Sequence, residues 1–164
     1  MSELTNFLKQ ADIFYQLTPT QLELVANLCQ ERSYSLGEVV VEEGTGSKEL
    51  YIITRGEVDV LVDPAVVAGP QTARKGQATI ATLRRGQSFG EIALVDEGLR
   101  SATVRAAQRD TRLLVIPRDK LIILCETYPQ LGYRLMYNLA ADLAMKIRNT
   151  DLHVREALLY TQKK

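Results

Sequence analysis

The chain has one histidine and two cysteines in 164 residues, and its formal charges cancel. Each scarcity excludes something. A metal enzyme built on a small β-barrel, such as a cupin, needs several imidazole ligands, and the single histidine, His153, falls on the last helical stretch. The same scarcity leaves no Ser-His-Asp or Cys-His constellation for a barrel interior, so catalysis is set aside. Cys29 and Cys125 are too few for the disulfide framework of a small secreted domain and read as reduced core thiols. No apolar run approaches the roughly 20 residues that cross a bilayer. The opening MSELTNFLKQADIF lacks the basic and then apolar regions of a secretory signal, so the expected location is the cytoplasm, away from membranes. Lys plus Arg and Asp plus Glu each number 20, and this balance lacks the basic excess that nucleic-acid binding normally requires.

What is present is ordinary globular composition, 46% hydrophobic and 24% charged, enough for a real core in one domain spanning residues 1–164. Residues 1–32 carry helical spacing. Phe7, Leu8, Ala11 and Phe14 recur on one face, then Leu22, Val25, Ala26 and Cys29 do the same, with Thr18-Pro19 between them as N-cap and first helical position. Residues 33–117 change character. Val39–Val41, Leu50–Ile53, Val58–Val62, Thr79–Leu83, Ser101–Val104 and Leu113–Ile116 are strand-like, with Gly37, Gly44, Gly56, Gly86 and Gly90 between them. Short strands separated by turn residues predict an antiparallel β-sandwich or barrel. Along GEVDVLV, alternation puts Val58, Val60 and Val62 on one face and Glu57 and Asp59 on the other. Asp63–Gln77, broken by Pro64, Gly69, Pro70 and Gly76, reads as a long exposed hairpin loop.

Residues 118–164 return to helical spacing. A short helix from Asp119 ends before Pro129. A long one follows, with Leu131, Leu135, Leu139, Leu143 and Ile147 on one side and Val154 and Leu158 extending the stripe. That length fits packing on the barrel or contact with a second copy of the chain in a homodimer.

The segment FGEIALVDEGLRSATVRA, Phe89 to Ala106, carries the chemistry. Gly90 permits close backbone approach, and Glu91–Val95 make one helical turn whose first N–H groups attract an anion. Asp96-Glu97-Gly98 reverses the chain and returns Arg100 beside that turn, which makes a phosphate clamp. Glu91 would repel an anion but accepts hydrogen bonds from hydroxyls. A phosphodiester that also bears a ribose therefore fits. The residues alone leave a second reading equally open, a Glu91–Arg100 salt bridge that pins the turn without any ligand.

FGEIAL and RSATVRA resemble the phosphate-binding cassette of cyclic-nucleotide-binding domains, the family that includes catabolite-activator-type bacterial regulators and the regulatory subunits of cAMP-dependent kinase. Gly37, Gly44, Gly56 and Gly86 sit where that family's turn glycines fall, and the resemblance covers nearly the whole chain. It implies a mainly β fold: an antiparallel, jelly-roll-like β-roll of about eight strands, with N-terminal helices and a long C-terminal helix that closes over the purine. It also implies a site. Glu91 would accept the ribose 2′-hydroxyl, and Arg100 would pair with a phosphate oxygen. The N–H groups of Ile92, Ala93 and Ser101 would complete the cradle beside Gly90, with Val60, Ile80 and Ala81 lining sugar and base. Cyclic AMP is the expected ligand, with serine at 101 where cGMP binders often have threonine; cGMP and a roll that binds no nucleotide are the alternatives. No cofactor is expected. Where bacterial activators use a Thr-Ser pair on the long helix to reach the base, this chain has Lys146 and Ile147, with Asn149 and Thr150 one turn on. The chain has no room after the helix for the activators' helix-turn-helix domain, so no DNA partner is expected from it. The picture is a bacterial cytoplasmic sensor that signals through a hinge near Asp119–Pro129.

Overall fold

Leu50–Ile53 and Leu113–Ile116 are apolar at every position, where a half-buried strand would alternate, because both strands are covered on both faces. Leu50 and Ile52 on one, and Leu114 and Ile116 on the other, pack outward against helices. Tyr51, Ile53, Leu113 and Val115 pack inward against a second sheet. The structure, a computed structural model, describes residues 2–63, 76–96 and 98–162.

In chain order the elements are α1 (Glu3–Leu8), a 3₁₀ turn (Asp12–Phe14), α2 (Pro19–Ala26), β1 (Gln30–Tyr34), β2 (Val39–Val41), β3 (Glu49–Arg55), β4 (Glu57–Val62), β5 (Ala78–Arg84), β6 (Ser88–Phe89), α3 (Glu91–Val95), β7 (Thr103–Ala106), β8 (Thr111–Pro117), α4 (Arg118–Thr127) and α5 (Pro129–Gln162). The strands form two four-stranded sheets, β1-β8-β3-β6 and β2-β7-β4-β5. Every pairing is antiparallel. Val41, Val58, Leu83 and Val104 of the second sheet meet the inner face of the first to fill the roll. The outer face of the first sheet carries a separate cluster with Leu8, Phe14, Leu22, Val25, Leu121, Leu131, Leu135 and Leu139 from the helices. The mainly β roll with N-terminal helices and a long C-terminal helix is therefore as expected.

The N-terminal signals also hold. Thr18 Oγ1 accepts from Gln21 N at 3.3 Å, and Gln21 Oε1 accepts from Thr18 N at 2.9 Å, a reciprocal capping box. The boundary at residue 32 needs correction, because β1 already begins at Gln30 and α2 ends at Ala26. β1 reads QERSY and shows no apolar alternation because it is an edge strand, paired only with β8 in its sheet. β6 is two residues long and offers no periodicity to read. The strand expected at Ser101–Val104 runs instead from Thr103 to Ala106.

β4 keeps the expected inward face at Val58 and Val60, but its burial is uneven. Val58 and Leu61 are buried, while Val60 and Val62 are half-buried. The register against β5 shifts between Val60, opposite Ala81, and Leu61, opposite Thr79. This bulge leaves Ile80 as the extra residue on β5, while Val58 and Val60 of β4 both pack in the roll interior as alternation expects, and Leu61 is buried as well. Before the bulge the outer pairs behave as expected: Arg84 Nε lies 2.9 Å from Glu57 Oε1, and Thr82 Oγ1 donates to Asp59 Oδ1 at 2.7 Å. Apart from its ends, the expected loop at Asp63–Gln77 lies outside the described residues.

The long stripe on α5 divides in two. Leu131, Leu135 and Leu139 are fully buried, Leu143 is half-buried, and Ile147, Val154 and Leu158 are exposed. Asn138 fixes the buried half. Its Nδ2 donates to Ile13 O at 3.0 Å and to Tyr15 O at 2.8 Å, joining α5 to the 3₁₀ turn.

Both cysteines are free and half-buried. Burial pushes the Cys29 thiol up to about 12, and burial, then Glu126, raises that of Cys125. A raised pKa withholds the reactive thiolate at neutral pH. In native protein at pH 8, both thiols are expected to react with an aromatic disulfide reagent far more slowly than after denaturation; equal rates would contradict this packing. Asn138→Ala removes both donors from its two carbonyls and is expected to lower unfolding free energy by about 1–3 kcal/mol in urea titrations.

Candidate functional site

β6 ends at Phe89, whose ring stacks on Tyr51 of β3 at 4.8 Å between centroids with planes 6° apart. The chain then turns through Gly90 at φ 86° into α3. A Cβ on residue 90 would stand 2.6 Å from Glu49 O and 2.7 Å from Arg100 Nη1. Glycine is needed there both for the left-handed backbone and for the space. The short helix α3 is amphipathic within one turn: Ala93 and Leu94 are buried, with Leu94 in the helix-side core, while Ile92 and Val95 are exposed.

Arg100 enters the same recess from the segment before β7. Its backbone is clasped to the loop after β2, since Arg100 N donates to Thr45 O and Arg100 O accepts from Gly44 N, both at 2.8 Å. Arg100 is 6% exposed. Nε donates to Ser47 Oγ at 2.8 Å, Nη2 to Glu49 O at 2.7 Å and Nη1 to Gly90 O at 3.3 Å, with the Tyr51 ring 5.8 Å away. Every one of these acceptors is neutral. The nearby carboxylate of Glu49 is engaged elsewhere, by the Tyr51 hydroxyl at 2.6 Å and Arg32 at 3.0 Å. Burial lowers the pKa of Arg100, and Tyr51, Glu49 and Glu91 act against that shift. A guanidinium nonetheless keeps its proton at neutral pH. The result is a buried cation, held in place by the fold, with two of its five N–H donors uncommitted to these acceptors.

Glu91, 5% exposed, does not make the salt bridge with Arg100 that the sequence left open. Its Oε1 accepts from Lys146 Nζ of α5 at 2.6 Å. Lys146 also donates to Ser88 O at 3.0 Å and lies 2.9 Å from Asp142 Oδ2. Burial works against the ammonium, but Glu91 and Asp142 overcome it and raise the Lys146 pKa above the ordinary lysine value. Lys146, one helical turn after Asp142, therefore outcompetes Arg100 for the acid. Glu91 Oε2 and Ser88 Oγ are buried and have no hydrogen-bond partner among the described residues. An orphaned carboxylate oxygen beside a buried guanidinium can take a hydroxyl and an anion from one small molecule.

The cyclic nucleotide-binding domain family matches residues 31–128. The chain belongs to this family. It is 32% identical to the cyclic AMP receptor protein of Thermus thermophilus over 90% of its own length and 62% of that protein, so it spans less than two thirds of this relative. It is 29% identical to cGMP-dependent protein kinase 2 of Mus musculus over 71% of the chain and 14% of the kinase. Among solved structures, a cyclic nucleotide-binding domain from Methylobacillus flagellatus superposes with a TM-score of 0.74 at 25% identity, covering 90% of this chain and 78% of that one.

Within this cyclic nucleotide-binding domain, Gly90, Glu91 and Arg100 lie together at the junction of β3, β6 and α3, and Ala93 is buried in α3. Ser101 directly follows Arg100 and is exposed. Val60 and Ala81 face each other across β4 and β5, Val60 packed on the roll core and Ala81 open, with Ile80 exposed at the bulge. Asn149 and Thr150 are exposed on α5, where Thr150 Oγ1 bonds back to Lys146 O at 3.0 Å. No helix among the described residues is long and apolar enough to cross a membrane.

Sequence reasoning did not find Ser47, Glu49 and Tyr51, which hold Arg100, or the role of Lys146. Two of the Arg100 contacts go to main-chain oxygens, and no side-chain pattern encodes those. For Lys146 a signal existed, the Asp142–Lys146 spacing on one helix face.

Gly90→Ala is expected to destabilise the fold by about 1–3 kcal/mol, through strained backbone and displacement of Arg100. Denaturant unfolding measures it, and a variant as stable as the parent would contradict the close approach described.

Proposed function

We propose that this domain binds a cyclic nucleotide, preferentially cAMP, and transmits occupancy through its C-terminal helices. The observation that carries the reading is the pairing of a buried guanidinium that touches only neutral oxygens with a buried carboxylate that has one free oxygen. Arg100 would take an oxygen of the phosphodiester, and Glu91 would take the ribose 2′-hydroxyl. The N–H groups of Ile92, Ala93 and Ser101 would join the cradle beside Gly90, and Val60, Ile80 and Ala81 would line the sugar and base. Serine at 101, and the greater coverage of the match to a cyclic AMP receptor than to a cGMP-dependent kinase, support cAMP.

Transmission has a physical route. Arg118, the first residue of α4, donates from Nε to Leu94 O at 3.0 Å and from its backbone N to Lys48 O at 3.0 Å. The recess and the hinge helix thus share a residue. Ligand shifts such an arrangement only by its differential affinity for two positions of the helices. The exposed Ile147, Val154 and Leu158 of α5 support a homodimer along that helix. A second reading, a roll that binds no nucleotide and serves as a docking or dimerisation module, is favoured by the Lys146–Glu91 ion pair, which already gives the acid a partner.

Calorimetric titration with cAMP and cGMP separates these readings. The expected result is a dissociation constant of about 1 μM or tighter for cAMP, near −8 kcal/mol, and weaker binding of cGMP. Arg100→Leu is expected to lose at least about tenfold in affinity, the scale of one charge-assisted hydrogen bond, with circular dichroism confirming a folded roll. Heat-silent titrations with both nucleotides, or unaltered affinity in folded Arg100→Leu, would overturn the assignment.

A further inference from the structure

A carboxylate buried next to the seat of an anion is a problem that the fold itself answers. Glu91 lies close enough to Arg100 for its charge to act on the guanidinium. Left bare, it would act equally on a phosphodiester, with the opposite sign. Lys146 removes that field from a different element. Three oxygens surround its ammonium, those of Glu91 Oε1, Ser88 O and Asp142 Oδ2 at 2.6, 3.0 and 2.9 Å. It donates to Glu91 Oε1 and Ser88 O and pairs by charge with Asp142 Oδ2, so its described partners all belong to the protein. Lys146 therefore works on the protein side of the site. It fixes one oxygen of Glu91 and leaves the other, Oε2, as the unpartnered acceptor. Asp142, one turn earlier on α5, holds the lysine on that face of the helix.

We infer that Lys146 is a positioning residue of the nucleotide site: it neutralises Glu91 so that the recess tolerates an anion, presents Oε2 to a ligand hydroxyl, and in the same contact pins α5 against the end of β6. The inference rests on the reading of the recess as a cyclic nucleotide site. The two functions of the lysine are linked by geometry. The ammonium that quenches the acid is carried by the helix that would report on the ligand, so loosening α5 uncovers the charge of Glu91 and disfavours the anion.

Four variants test it: Lys146→Met, Lys146→Arg, Glu91→Gln and the Lys146→Met/Glu91→Gln pair. Two measurements are made on each, amide hydrogen exchange of the ligand-free protein and calorimetric titration with cAMP and cGMP. Lys146→Met leaves Glu91 and Asp142 together without their cation, and exchange from Leu139 to Thr150 is expected to quicken about tenfold or more. The same variant is expected to bind nucleotide about tenfold more weakly, with Lys146→Arg retaining most of the affinity because it keeps the charge. The double variant is expected to bind within about threefold of Glu91→Gln alone, because with residue 91 uncharged the acid next to the ligand has no charge left to quench. An equal loss from Lys146→Met in both backgrounds would mean that the lysine only supports the fold, and would overturn the electrostatic role. Unchanged exchange in Lys146→Met would overturn the pin. Wild-type protein that binds neither nucleotide would refute the proposed function and the electrostatic role with it, and the exchange result alone would then decide the pin.

Discussion

The site depends on keeping one guanidinium buried without a carboxylate against it. A lone buried cation is costly, and this one is made tolerable by oxygens that the fold cannot move away. Two are main-chain carbonyls, Glu49 O and Gly90 O, and the third is the hydroxyl of Ser47. Carbonyl dipoles stabilise the charge without cancelling it. The constraint then spreads outward. β3 must bring Glu49 O to the recess, and it can do so because its residues are locked on both faces, in the roll and under the helices. Gly90 must be glycine, because a side chain there would meet both Glu49 O and Arg100. Glu49 must not turn its own carboxylate inward. Burial raises its pKa, but the Tyr51 hydroxyl and Arg32 more than offset this and hold it below the ordinary range, ionised and facing them.

How much of this was legible in the sequence follows from the physics of each element. The double-sided runs at Leu50–Ile53 and Leu113–Ile116, the Thr18-Pro19 cap and the glycine beside Glu91 are local signals, and each survives in the structure. β1 and β6 could not be read. An edge strand of sequence QERSY buries almost nothing, and a two-residue strand has no period. The bulge at Ile80 of β5 could not be read because a bulge depends on the partner strand's register. Glu91 and Arg100 were found as a pair of charges, but the spacing that joined them on paper does not join them in space. Glu91 instead meets a residue 55 positions away, a distance over which neither periodicity nor motif carries information.

The family relation adds what geometry alone lacks, the class of molecule that brings an anion and a hydroxyl together. Geometry adds what the relation lacks. Lys146 stands where the resemblance offers a base-reading pair, and it faces inward to the acid. Lys146 is engaged on the protein side, with Glu91, Ser88 O and Asp142. In the proposed site, discrimination between purines would fall to Ser101 and to the open strand β5, where Ile80 and Ala81 are exposed.

Under the proposed function, signal transmission would reduce to the attachment of α3. Five residues are too few to hold a helix by themselves, so its position is set by what grips its two ends. At the N-terminal end Lys146 of α5 takes Glu91 and Ser88 O. At the C-terminal end Arg118 of α4 takes Leu94 O, a carbonyl that a helix end leaves without an intrahelical partner. Both grips come from the helices that leave the roll, and both land on the turn that would hold the phosphate. A shift of α3 relative to β3 therefore moves an anchor of α4 and an anchor of α5 together, while the core beneath, fixed by Leu131, Leu135 and Leu139, resists. Among the described residues the exposed half of α5 beyond Lys146 has no comparable hold on the roll, so in the proposed route the lysine would mark the last point at which the site acts on that helix.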